Sequence, residues 1–411
     1  MSVLDKIKTW FEPVQPLAPE VLHYQTPPEA DDQYRLHLRI EGDGRGLLVV
    51  NAATILHLNR TATEYARLLI QGASEKEAVQ EMVRRYRVSP DTARADLREL
   101  RDHILMLSTM EDLDPVTFLG IDRVEPFSAE TSAPYRVDLA LTYRVDETSA
   151  LDPEAEHRVD QELSTVDWRC IIRSLWEVGV PHICFTGGEP TLRDDLVELI
   201  TYAEELGMVT GLLTDGRRLR NQVYLDELLL AGLDHLQITL VSHRAEIHDA
   251  VLGRPGSWEE TMTGLKNGLA GDIYVVVHVV VRPENADSVL ETVDYLAELG
   301  VPAMALSSPL ESDDIHAEKL AHILKESQEA VYEHNMTLVW DLAAPYSHVN
   351  PVEVETGLPA GQVVRQHLYV EPDGDALPAQ GYNVVLGNLL RDSWESIWRH
   401  PEREKLASLE A

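Results

Sequence analysis

The stretch Phe185-Thr186-Gly187-Gly188-Glu189-Pro190-Thr191-Leu192-Arg193 decides the reading of this chain. It closes the apolar, strand-length run 181–185, and Pro190 fixes the turn into a following helix. Two adjacent glycines let backbone approach a ligand closely, and Glu189 offers a carboxylate to a cationic group. Taken alone, the same string also describes an ordinary strand-to-helix turn.

On either side, strand-like runs at 137–143, 181–185, 209–214, 234–240, 273–280 and 302–306 alternate with amphipathic helical patterns. One helix is fully punctuated: Ser164 and Asp167 cap it, Trp168, Ile171, Ile172, Leu175 and Trp176 form its apolar face, and Gly179 ends it. Six β–α units predict an α/β fold, a partial (βα)6 barrel over 135–338 with its active face at the strand C-termini. After a helix near 316–335, Pro/Gly-rich segments, a hairpin around Leu368–Asp375 and a short helix near 392–399 predict a third, small unit over 339–411. There are no tandem repeats.

Upstream, Met1–Pro13 reads as a short amphipathic docking helix, and the Pro-rich, acidic stretch to Gln33 as a tether rather than a strand or helix. Tyr34, Leu36, Leu38 and Ile40 alternate as a strand, Gly42-Asp43-Gly44 turns the chain, and Leu47–Val50 returns. Three helices are expected next: one opening at Thr61 with Glu64, one at Ser74 with Glu77, and one at Ser89-Pro90. Hairpin plus helices over 34–109 describe a winged helix, and a polar linker, 110–134, follows.

The 35 Lys+Arg stand against 70 Asp+Glu, a formal charge of −35, so the field of the whole chain repels nucleic acid and anionic membranes. No run reaches the ~20 apolar residues that span a bilayer. Cys170 and Cys184 are the only cysteines, which suits a reducing, cytoplasmic compartment and excludes a cysteine-built zinc site. Both read as small apolar core residues. The sixteen histidines form no HxxxH or HExxH pair, and His182, His235 and His243 read as singletons.

With these residues in view, the chain resembles radical S-adenosylmethionine (radical SAM) proteins from about 135 to 402. Gly187-Gly188-Glu189-Pro190 matches the family's GGEP motif, and Thr214-Asp215-Gly216 looks like its ribose-contacting Thr-Asn-Gly. The resemblance implies that these seven residues bind S-adenosylmethionine or a related nucleotide. Ala231–Asp234, His248-Asp249 and Gly253–Ser257 resemble the fourth unit of that barrel. Tyr369–Asp375, Leu386–Leu389 and Trp394–Trp398 resemble the SPASM extension that carries auxiliary clusters. Leu58–Ala62, Gly72–Glu77 and Val88-Ser89 resemble PqqD-like domains, which bind leader peptides by adding them as a strand to a sheet edge. The resemblance implies a peptide site along Tyr34, Leu36, Leu38 and Ile40. Such a winged helix can instead read DNA, which the acidic chain disfavours.

The chain departs from the family at its metal ligands. Three thiolates, C-x3-C-x2-C, normally follow the first strand and bind a [4Fe–4S] cluster; here those positions are Val145, Ser149 and Asp152. Ser347, Gly361 and Ala379 stand where cysteines of the SPASM extension are expected. No iron–sulfur cluster is therefore expected. Three readings follow: a peptide-binding pseudoenzyme that presents a leader or precursor peptide to an intact radical SAM enzyme, an S-adenosylmethionine-binding enzyme doing polar chemistry with Asp152 or His243 as base, or a peptide maturase stripped of its cysteines.

Overall fold

The computed structural model describes residues 14–109, 131–145, 161–309, 314–339, 364–380 and 382–408, apart from single positions 28, 31, 53 and 366, together with Val159 and Val354–Glu355. The expected docking helix, most of the second linker, and Ser149, Asp152, Ser347 and Gly361 lie outside the described residues. The chain divides into two compact units, Met1–Ser132 and Ala133–Ala411.

The first unit is built on a four-stranded antiparallel sheet, β1 (Glu20–Gln25), β2 (Arg35–Ile40), β3 (Gly46–Val50) and β4 (Thr54–Leu58), paired in that order. Leu22, Leu38, Leu48 and Leu56 stand opposite one another across all four strands, and the last three are buried at 0–3% exposure. Two expectations fail here. Glu20–Gln25 is a strand rather than a tether, since Leu22 and Tyr24 pack against the same core. β2 is consequently an interior strand, paired on both sides, so Tyr34–Ile40 is not a free edge.

Three helices follow, α1 (Arg60–Ile70), α2 (Glu75–Tyr86) and α3 (Pro90–Thr109); α1 and α3 pack on this sheet, and α2 packs against those two helices. Ser74 and Glu77 form the expected capping box on α2. On α1 the cap is Asn59, not Thr61, and its side chain accepts from the Ala62 N–H. Glu64 does not reach back to the cap because its buried carboxylate pairs with Arg85 of α2 at 2.7 Å. Opposite charge rescues a carboxylate that burial would otherwise leave stranded.

In the second unit six consecutive strands run parallel: β5 (Arg136–Thr142), β6 (His182–Gly187), β7 (Val209–Thr214), β8 (His235–Thr239), β9 (Tyr274–Val280) and β10 (Ala303–Pro309). They form the expected partial barrel, since β10 continues to β11 (Thr337–Leu338) rather than closing on β5. Two-residue β12 (Val354–Glu355) pairs antiparallel with β10. On the outer face Leu139, Phe185, Leu212, Ile238, Val277 and Met304 are fully buried with Trp168, Ile171, Ile172 and Leu175 of α4 (Thr165–Glu177). Complete burial of each large side chain contributes about 1.5–3 kcal/mol before entropy is counted. The Ser164–Asp167 capping box starts α4, and Gly179, at φ 88°, follows its end.

The C-terminal region is not a separate unit. β13 (His367–Val370) pairs in parallel with β5, and β14 (Asp375–Leu377) and β15 (Gly387–Asn388) follow antiparallel. The expected hairpin is there, but it extends the barrel sheet. Among the described residues no helix is long and apolar enough to cross a membrane.

Candidate functional site at the strand C-termini

Parallel strands deliver their C-terminal ends to one side of the sheet, and the expected nucleotide-binding residues meet there on neighbouring strands β6 and β7. Their side chains are engaged chiefly with one another. Glu189 is 3% exposed. Its Oε1 accepts from the Thr191 N–H at 3.0 Å, the Thr191 hydroxyl at 2.5 Å and the Thr214 hydroxyl at 2.8 Å. Its Oε2 accepts from the Asp215 N–H at 2.8 Å. Asp215 is held in turn by Arg217, whose Nε lies 2.7 Å from Oδ2. Thr214 Oγ1 also accepts the Gly216 N–H at 3.1 Å.

Burial, and then the neighbouring Asp215 carboxylate, push Glu189 up to about 8, against the pull of its hydrogen-bond donors. With four donors already in place, Oε2 has one position left, which accepts when the group is ionised and holds the proton when it is neutral.

The two glycines have a packing explanation. A Cβ on Gly187 would lie 2.1 Å from the Thr142 carbonyl oxygen, and one on Gly188 would lie 2.4 Å from that of Arg144. The backbone comes this close because Gly188 and Glu189 N–H groups donate to those two carbonyls, each at 2.8 Å. Pro190 is the first residue of a short 3-10 turn leaving the strand. The GGEP string therefore stitches the end of β6 to the segment leaving β5.

That segment ends its described part at Val145, which is half-buried and carries no donor atom. Ala379 is buried at 3% exposure. Cys170 is exposed on α4 and so is not the core residue expected of it, whereas Cys184 is buried in β6. His243 donates or accepts at the Thr292 hydroxyl, 2.9 Å from Nδ1. A second group escaped the sequence reading: His182, Cys184 and His235 converge at the N-terminal end of the same strands. The alternation His182-x-Cys184 puts two donors on one strand face, but only the register across β7 brings His235 to them.

Comparison with known proteins agrees with this architecture. The Radical SAM superfamily model matches residues 147–296, and the model for coenzyme PQQ synthesis protein D (PqqD) matches residues 46–105. A PqqA peptide cyclase from Rhizobium meliloti (strain 1021) is 27% identical over 287 residues, 66% of this chain and 73% of its own length. Streptococcus suis SuiB bound to S-adenosylmethionine superposes with a TM-score of 0.59 at 17% identity, covering 95% of this chain and 91% of that one. Native anSMEcpe with bound AdoMet gives 0.52 at 14% identity, over 66% and 82% of the two chains. The two family matches give the chain a PqqD domain followed by a radical SAM domain, and its α/β sheet with parallel order is the fold of those solved structures.

Proposed function

We propose that this chain is a peptide-binding member of the radical SAM proteins that lacks radical chemistry of its own and presents a leader or precursor peptide to an intact enzyme. The observation that carries this reading is its cysteine content: Cys170 and Cys184 are the only two, whereas the family's cluster takes three thiolates from one loop. Val145 cannot replace a thiolate, and Cys170 and Cys184 belong to a helix and a strand rather than to the segment after β5. The donor set does not fit the cluster.

Peptide capture is supported by the PqqD match, by the PqqA peptide cyclase among the relatives, and by SuiB, which has the same fold and has been crystallised with its precursor peptide SuiA. With β2 paired on both sides, the peptide adds to an outer strand, β1 or β4. There, main-chain groups remain for pairing and alternate side chains can select sequence.

A second reading, an S-adenosylmethionine-binding enzyme doing polar chemistry, is favoured by one observation: Gly187–Pro190 and Thr214–Gly216 stand at adjacent strand ends. Calorimetry with S-adenosylmethionine separates the two. Tight binding that Glu189→Ala weakens by about 1–3 kcal/mol would favour the second reading, and no heat of binding the first.

A further inference from the structure

The inner face of the barrel carries a donor cluster at the end opposite the motif loops. His182 opens β6, Cys184 follows two residues later on the same face, and His235 opens β8. Cys184 Sγ lies 3.3 Å from His182 Nε2 and 3.8 Å from His235 Nε2. The imidazole rings meet edge to face with centroids 5.0 Å apart. β7 lies between the two donor-bearing strands, and its residue in register with both Cys184 and His235 is Gly211. A Cβ there would fall 2.2 Å from His235 Nε2 and 2.9 Å from Cys184 Sγ. Only a glycine lets the His235 ring cross β7 toward the thiol.

The two sulfur–nitrogen distances are close to those in a coordination shell. With Zn–S about 2.3 Å and Zn–N about 2.0–2.1 Å, two ligands at a tetrahedral angle stand about 3.5 Å apart. The two sulfur–nitrogen distances straddle that value. Sulfur with two imidazoles is the borderline-soft set that suits zinc, and three protein ligands leave a fourth position open.

Arg136, whose charge acts on both rings, is paired with Asp138 through contacts of 2.9 and 3.3 Å.

We propose that His182 Nε2, Cys184 Sγ and His235 Nε2 bind a zinc-class divalent ion at the N-terminal end of the barrel. Binding breaks the Cys184 S–H bond, forms a thiolate–metal bond and releases the proton to solvent. Along β6 the strand spacing puts Cys184 about 10 Å and His182 about 16 Å from the loop at Gly187, so the site does not depend on the functional reading above.

The test is a titration of the full chain with Co²⁺ after chelation and under a reductant, followed by displacement with Zn²⁺. Equimolar uptake with a thiolate-to-cobalt absorption band is expected. Cys184→Ser should abolish the band, Cys170→Ser should retain it, and His235→Gln should weaken binding more than about tenfold. Because substitutions in the barrel can unfold it, the unaltered chain supplies an independent readout: Zn²⁺ should raise the unfolding temperature of metal-free protein. No stoichiometric uptake and no thermal shift would overturn the proposal and leave a hydrogen-bonded thiol–imidazole cluster. A cobalt band that survives in folded Cys184→Ser would overturn it equally.

Discussion

The Thr214 hydroxyl donates to Glu189 Oε1 at 2.8 Å and so ties the end of β7 to the loop leaving β6. Two motifs that the sequence suggests as separate contacts to one ligand are in contact with each other. Glu189 is thus a structural centre of the site, whatever else it binds, and its ionisation should be felt in stability.

Glu189 is raised from its ordinary 4.5 to about 8, by burial first and Asp215 second. The folded chain therefore holds a proton that the unfolded chain has lost between those values. Its stabilising contribution is full below pH about 4.5 and is lost as pH rises through about 8, by at most roughly 1.4 kcal/mol per pH unit. Thermal unfolding should fall in temperature from pH 6 to pH 9, and Glu189→Gln, which cannot ionise, should flatten that slope. An unchanged slope would remove Glu189 as its source.

Gly188→Ala separates packing from ligand approach. Its methyl would meet the Arg144 and Tyr143 carbonyl oxygens at 2.4 and 2.8 Å, and backbone has little freedom to yield. A loss of about 1–3 kcal/mol in urea denaturation is expected. Wild-type stability with altered nucleotide binding alone would mean that the glycine serves the ligand.

At the centre of the first unit, Leu38 faces Leu22 on one side and Leu48 on the other and is fully buried. Leu38→Ala should cost about 2–5 kcal/mol. Hydrogen exchange on adding a precursor-type peptide should slow amides of Glu20–Gln25 or Thr54–Leu58 and leave Arg35–Ile40 unchanged. Slowing confined to Arg35–Ile40 would contradict addition at an outer strand.

Local patterns in the sequence predicted the elements whose causes are local. All six barrel strands appear within a few residues of their apolar runs, and Ser74–Glu77 and Ser164–Asp167 form the capping boxes their spacing implies. What escaped depends on partners distant in the chain. Glu20–Gln25 becomes a strand because Leu22 finds Leu38. Glu64 leaves its cap role because Arg85 is near, and Leu368 enters the barrel sheet opposite Val137. The motif residues Gly187–Pro190 and Thr214–Gly216 were legible as neighbours at strand ends. That they bond to one another was not, since hydrogen-bond partners are set by register and burial.

Iron and acid-labile sulfide content, measured after anaerobic purification and reconstitution of the full chain, decides whether this protein carries radical chemistry of its own. No stoichiometric iron–sulfur cluster is expected, because two cysteines cannot furnish the ligands. Stoichiometric iron and sulfide with a cluster absorption spectrum would contradict it and restore a radical maturase.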